Sequence, residues 1–398
     1  MRATRKPSRP VVFFPDEALG RWAPASVRHN SPMAIEFSQR VRRIPVYPVA
    51  DGYSLPDDVA MLASNESPDP PLQAVVQAAQ RALVGVNRYP DPSNSVLRRA
   101  LSDRYGLPAS RIAVGNGSCD ILLAAGEALL EPEAEIVYAW PSFSVYPHIA
   151  AASGARAITV PVDGEHRHDL AAMLQEINAA TRLVIVCNPN NPTSTALPLD
   201  ELAAFVRAVP RHVAVILDEA YCEFNLLQDP DESIELLDRH PNVVLLRTFS
   251  KVYGLCGLRV GFALCGSEAF RTAVDQVRQP FFCNAAAQAA AVEALKHQDE
   301  VARRVERNLA ERLELEDGLR RLGVAPAESQ ANFVWLDLPE AVDTQPGTDE
   351  REIVRGLADR GVLVRSGAAL GRAGALRVTV GTAAENARFL AALGASLG

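Results

Sequence analysis

The sequence predicts an α/β protein, with a large unit built on a mainly parallel seven-stranded sheet covered by helices and a smaller α+β unit attached to it. Three observations carry this expectation. From about Pro90 to Cys283, short β-branched runs alternate with longer helical segments, the rhythm of a parallel sheet with helices on both faces. Five of the runs end in polar or glycine-rich loops, and in open sheets of this kind ligands bind beyond the carboxyl ends of the strands. After Cys283 the rhythm gives way to one long charged helical stretch and then a shorter set of strands and helices. The length of 398 residues suits two or three domains, and 48% hydrophobic with 22% charged residues is a globular composition.

Taken in order, residues 1–32 are expected to form a flexible arm. Arg2, Arg5, Lys6 and Arg9 precede the first acid, Asp16, as in an organellar leader, but Pro7, Pro10 and Pro15 break the amphipathic helix a leader needs. Met33 is an alternative start. The large unit is expected over 80–290, with strands at Arg111–Val114, Glu135–Ala139, Arg156–Val160, Leu183–Cys187, Val213–Leu217, Val243–Arg247 and Arg259–Leu264. The small unit takes 33–79 and 291–398. One helical stretch runs from Ala285 to Leu322, its wet face marked by Glu293, Lys296, Glu300, Arg303, Arg304 and Glu306. Strands Asn332–Leu336, Gly361–Arg365 and Ala375–Val380 follow, with helices around Arg351–Arg360 and Ala384–Leu397 and a loop at Asp343–Gly347.

The charge of −8 and the lack of a basic region beyond the first dozen residues speak against nucleic acid as a partner. No run of 18 apolar residues occurs, so no membrane partner and a cytoplasmic location are expected. Cys119, Cys187, Cys222, Cys256, Cys265 and Cys283 are scattered without C-x-x-C spacing and read as reduced thiols. His166 and His168 read as surface residues of a polar turn, and no metal site is expected.

Lys251 is the focus of the chemistry. It follows a buried strand and a Thr-Phe-Ser turn, where partial desolvation lowers an amine's pKa and frees it for Schiff-base formation. Arg259 would bring a fixed cation to the same rim; a surface lysine and a strand-end arginine are the plainer alternative. Asp218 ends the run Val213–Leu217, where a buried carboxylate needs a cationic partner. A protonated pyridine nitrogen is such a partner and turns its ring into an electron sink. Tyr221 and Asn191 could then donate to the ring's phenolic oxygen, although Asn-Pro pairs also simply make turns. Gly115-Asn116-Gly117-Ser118 leads from a strand into an apolar helix whose first N–H groups can hold a phosphate. Ser118, Thr248, Ser250 and Arg259 would supply its remaining contacts.

These residues, with Ser64–Pro68, Arg88–Asp91, Asn188–Thr193, Asp218–Tyr221, Arg247–Lys251, Gly257–Arg259 and Leu376–Thr382, resemble the fold-type I, class I/II aminotransferases that use pyridoxal phosphate (PLP). Within that family the resemblance is to the histidinol-phosphate enzymes, in order from about Arg40 to Leu397. It implies Lys251, Asp218 and Tyr221 as catalytic groups. It further implies Ser118, Cys119, Phe143, Asn191, Thr248, Ser250 and Arg259 around the cofactor, with Tyr89 reaching in from the other subunit of a homodimer. Asn65 and Arg377 would hold an α-carboxylate, and Arg365 and Tyr47 would face a substrate phosphate. Three positions depart from the family: Cys119 replaces a common acid, Ser194 a glycine and Cys256 an alanine.

The reaction so implied is a ping-pong transamination between an amino donor, histidinol phosphate, and 2-oxoglutarate. An aromatic amino acid aminotransferase is the first rival. A decarboxylase acting on a phosphorylated amino acid is the second, and a PLP-sensing regulator the third. The regulator would need a DNA-binding module, and the residues before Asn65 show no helix-turn-helix pattern.

Overall fold

The computed structural model describes residue 38 and residues 41–44, 58–338 and 350–397. The expected arm at 1–32, Tyr47 and the loop at 343–347 lie outside the described residues.

Along the chain come β1 (Ala60–Met61), α1 (Gln73–Leu83) and α2 (Ser95–Tyr105). The alternating region follows: β2 (Ile112–Gly115), α3 (Ser118–Leu129), β3 (Glu135–Trp140), α4 (Val145–Ser153), β4 (Arg156–Pro161) and α5 (Leu170–Glu176). It continues with β5 (Thr181–Cys187), α6 (Leu199–Ala208), β6 (Ala214–Asp218), α7 (Leu236–Arg239), β7 (Val243–Thr248) and β8 (Gly261–Cys265). Helices α8 (Glu268–Val277), α9 (Ala285–Ala294) and α10 (Gln298–Arg321) lead to β9 (Phe333–Asp337). The last elements are α11 (Glu350–Asp359), β10 (Val362–Leu363), β11 (Arg365–Ser366), β12 (Ala375–Thr379) and α12 (Ala383–Leu397).

The seven-stranded sheet has the order β2-β8-β7-β6-β5-β3-β4, and β8 alone runs antiparallel to its neighbours. In the smaller unit, β11-β12-β9 form an antiparallel sheet, and β1 pairs in parallel with β10. Helix α1 crosses the boundary expected at residue 79, because its Val75 lies in the core of the large sheet and the helix packs along α9.

Four local expectations are corrected. The stretch Ala285–Leu322 is two helices parted at Leu295–His297, and the start of the second is marked by Asp299 and Glu300 in its first turn. Arg304, assigned to the wet face, is buried, and its guanidinium donates to the carbonyls of Val252 (3.1 Å) and Pro70 (2.7 Å). Gly361–Arg365 splits into β10 and β11, which serve different sheets. His168 is buried rather than exposed, and burial pushes its imidazole down to about 4.

Strand alternation sets up the site. Along β6, Val215 and Leu217 enter the core on one face, and Ala214 and Ile216 that on the other. The same period turns Asp218 toward the second face and Glu219 toward the first. On β7 it turns Thr248 toward the second face and Arg247 toward the first. Arg247 and Glu219 therefore meet on the side away from Asp218, with Arg247 Nε donating to Glu219 Oε2 at 2.8 Å. Both are buried; Arg247 also donates to Asp231 (2.8 Å) and Ser233 (3.3 Å) and lies over the Tyr105 ring.

Replacing Arg247 with Met should destabilise the protein by about 3–5 kcal/mol, because Glu219 would stay buried without its cation. Urea unfolding of the purified variant measures this. A loss under about 1 kcal/mol would show that the pair is dispensable.

Candidate active site

Five strand ends deliver side chains to one edge of the large sheet, and the segment before β8 completes it. Asp218 sits at the last position of β6, buried, where its Oδ2 accepts from the Tyr146 hydroxyl at 2.8 Å and its Oδ1 from Ala220 N at 3.3 Å. Burial pushes this carboxyl up to about 6. No arginine or lysine forms an ion pair with it among the described residues. Lys251, just past β7, donates from Nζ to the carbonyls of Asn65 (3.1 Å) and Ser64 (3.2 Å) and lies 5.5 Å from the centre of the Tyr221 ring. Burial first, and then the cation of Arg377, lower its amine to about 8.

Asn65 joins the two units. It adopts φ 54°, a left-handed conformation that asparagine tolerates better than most residues. Its N–H donates to Thr379 Oγ1 (2.9 Å), its Nδ2 to Tyr221 Oη (3.0 Å), and its carbonyl accepts from Asn332 Nδ2 (3.2 Å). Asn191 Nδ2 donates to the same Tyr221 oxygen at 3.3 Å, while its Oδ1 accepts from Arg377 Nη1 at 2.6 Å. Burial raises the Tyr221 phenol and keeps it protonated.

At the other end of the site, α3 opens at Ser118 after Gly117, whose φ is 81°. A Cβ on Gly117 would come within 2.5 Å of Arg259 Nη2, and one on Gly261 within 2.5 Å of the Ser118 nitrogen. The hollow between the start of α3 and Arg259 therefore requires glycine at 261, where a Cβ would meet backbone, whereas at 117 it would meet only the movable Arg259 guanidinium. Around it, Thr248 Oγ1 donates to Ser250 Oγ (2.9 Å), and Arg259 Nη1 approaches Ser250 Oγ (3.5 Å) while donating to the Cys256 carbonyl (2.7 Å). Arg259 itself is left-handed, φ 60°, so β8 starts at Gly261 and not at Arg259.

A family profile described as Aminotransferase class I and II matches residues 57–393. The chain belongs to the class I and II aminotransferases. It is 40% identical over 353 residues to an aromatic amino acid aminotransferase of Cutibacterium acnes, covering 89% of this chain and 96% of that one. It is 41% identical over 333 residues to histidinol-phosphate aminotransferase 1 of Nitrosococcus oceani, covering 83% and 87%. Its fold matches the crystal structure of histidinol-phosphate aminotransferase from Sinorhizobium meliloti in complex with pyridoxal-5′-phosphate, with TM-score 0.77, 30% identity and 85% and 90% coverage. Aminotransferases of this class work with pyridoxal phosphate, and this chain is a PLP-dependent aminotransferase.

The site fits that cofactor on its own chemistry. A hollow of backbone N–H groups, hydroxyls and one guanidinium suits a phosphate monoester. A buried carboxylate without an ion-pair partner suits a protonated ring nitrogen, and a desolvated amine suits a carbonyl carbon.

Hydrogen bonds and packing gather Lys251, Asp218, Tyr221, Asn191, Asn65, Arg377, Ser118, Thr248, Ser250 and Arg259 along this edge of the aminotransferase, with Cys119 in the first turn of α3. Phe143 is tied in through the Tyr146 ring, 5.7 Å away edge-on. Tyr89 stands apart: it is 81% exposed and stacked on Phe281 at 4.4 Å. Arg365 lies on β11, directly opposite Arg377. Sequence reasoning gave no role to Tyr146, Asn332 or Thr379; the first two lie in no motif, and Thr379 lies within the Leu376–Thr382 stretch without having been singled out. Of the departures, Ser194 explains itself: it has φ 62°, which glycine adopts at no cost, and its hydroxyl donates to Thr193 O at 2.6 Å.

In the cofactor-free protein, Lys251 should react with an acylating reagent along a titration curve centred near pH 8. Mass spectrometry of its peptide from about pH 6 to about pH 11 reads the curve. The assignment is simple because the chain has only three lysines, Lys6, Lys251 and Lys296. A midpoint above about 10 would mean that the amine is not desolvated in solution.

Proposed function

We propose that this aminotransferase takes histidinol phosphate as its amino donor and 2-oxoglutarate as its acceptor. The observation that carries the reading is the pairing of Arg365 with Arg377. Directly opposite residues on antiparallel strands share a face, and two like charges so placed repel each other. Arg365 has no acidic partner within ion-pair distance among the described residues. A doubly charged phosphate, or the two carboxylates of a glutamate-type substrate, would relieve that repulsion, whereas a single carboxylate needs only one of the two cations.

The cofactor, when bound, supplies an electron sink next to the carbon that carries the substrate's amine. Ser118, the N–H of Cys119, Thr248, Ser250 and Arg259 would hold its phosphate, and Phe143 would cover its ring. Asp218 would hold the proton on the ring nitrogen, and Tyr221 and Asn191 would donate to the ring oxygen. Lys251, with an amine near pH 8, is matched to removing a proton from the amine-bearing carbon and returning one. Asn65 keeps this amine within reach by accepting from Nζ and anchoring Tyr221. Arg377, steadied by Asn191, would hold the substrate's α-carboxylate or, for histidinol phosphate, the phosphate that takes its place.

The second reading, an aromatic amino acid aminotransferase, is supported by the names of several relatives at 40–43% identity. Steady-state kinetics with histidinol phosphate, phenylalanine and glutamate separates the two. On the leading reading, Arg365→Ala lowers kcat/KM for histidinol phosphate by about a hundredfold or more, while phenylalanine changes by less than about threefold. Equal small losses on all donors would reduce Arg365 to a strand-end charge. No wild-type activity with histidinol phosphate would move the assignment to the aromatic enzyme.

The exposed Tyr89–Phe281 stack also fits a homodimer in which Tyr89 enters the other subunit's site. Mixing Tyr89→Ala with Lys251→Ala subunits should regenerate one intact site per hybrid dimer. If activity stays at the level of the separate variants, Tyr89 does not act across subunits.

A further inference from the structure

Asp218 meets an unusual neighbour. The Tyr146 hydroxyl, on α4, donates to Asp218 Oδ2 at 2.8 Å, and its side chain is fully buried. Its ring is wedged edge-on between Phe143 (5.7 Å) and Tyr138 (5.8 Å), so the hydroxyl is held by packing on the face that carries Asp218. The other contact to the carboxylate, from Ala220 N, is long at 3.3 Å. The strongest donor to Asp218 among the described residues is therefore a phenol that belongs to no motif.

We propose that Tyr146 is a positioning residue for the cofactor, acting through Asp218: its hydroxyl keeps the carboxylate ionised and oriented for the ring nitrogen. This rests on the reading of Asp218 as the partner of that nitrogen. A hydrogen bond donated to the charged form of a carboxylate favours that form, and here it works against burial, which favours the neutral acid. A neutral Asp218 would offer no charge to the nitrogen's proton. The titratable groups on the Asp218 side are Cys119 from α3, Cys187 from the end of β5, Tyr221 and Lys251, while Glu219, pointing to the opposite face, acts on it only through space. Lys251 is the cation among them, and among the described residues Tyr146 is the side chain that donates to the carboxylate.

The test is titration of cofactor-free protein with PLP, followed by fluorescence quenching across pH, for wild type, Tyr146→Phe, Asp218→Asn and the double variant. Tyr146→Phe keeps the ring packing and removes only the donor. It should weaken PLP binding by about tenfold, and the acid limb of the affinity profile should move up by about one pH unit. In the Asp218→Asn background the same change should have no further effect, since no carboxylate remains to be held ionised. Unchanged affinity and profile in Tyr146→Phe would overturn the proposal, as would an equal loss when the change is made on top of Asp218→Asn. A Tyr146→Phe protein whose cofactor-free form fails to fold would also overturn it, because the hydroxyl would then serve the fold. If Asp218→Asn itself leaves affinity and profile unchanged, the reading of Asp218 fails first; if it lowers affinity and Tyr146→Phe does not, only the role of Tyr146 fails.

Discussion

The buried contact between Arg247 and Glu219 is the constraint on which the site depends. Each residue adjoins one that faces the cofactor hollow: Glu219 follows Asp218, and Arg247 precedes Thr248. Because side chains alternate along a strand, the pair locks the ends of β6 and β7 from the reverse face while leaving the front face for chemistry. Such pairs contribute little net stability once desolvation is counted. What this one contributes is geometry, since Asp218, Thr248, Ser250 and Lys251 all hang from the two strand ends it joins.

On the front face, two opposed electrostatic costs meet. Burial raises Asp218 to about 6 and, with Arg377, lowers Lys251 to about 8. For Asp218, whose pKa is raised on folding, the stabilising contribution is present at low pH and is lost as pH rises through about 6. For Lys251, whose pKa is lowered, the contribution is present at high pH and is lost as pH falls through about 8. Between these values the empty site carries a desolvated anion and a desolvated cation at once. On the proposed reading, a cofactor whose protonated ring nitrogen meets Asp218 and whose carbonyl meets Lys251 would relieve both, and binding and stability would be coupled across neutral pH.

Much of this was legible in the sequence, for identifiable reasons. The central strands of the large sheet are largely apolar runs because both of their faces are covered, and these runs stop abruptly where the chain turns polar at Asp218, Asn188 and Thr248. Those stops are the site. What escaped are features set by tertiary packing. Tyr146 is one aromatic residue among several near Phe143 until its hydroxyl is seen on Asp218. Arg304 follows the polar face of its helix by period, yet the carbonyls of Val252 and Pro70 draw it inward. The break at Leu295–His297 contains neither proline nor glycine, and only the acids that follow it announce a new helix.

The antiparallel strand β8 has a consequence for how the protein comes into being. It lies between β2 and β7, so that Gly261 is paired both with Gly115 and with Thr248. During synthesis, β2 leaves the ribosome about 150 residues before the strand that will flank it. At roughly 5–20 residues per second it waits on the order of ten seconds with its edge uncovered. The hollow proposed for the cofactor phosphate lies between β2 and the end of β7, and it is complete only once β8 takes its place between them. On that proposal, cofactor capture waits for a nascent chain long enough to hold every strand of the large sheet, and a truncated product would carry Lys251 without the proposed seat for the phosphate.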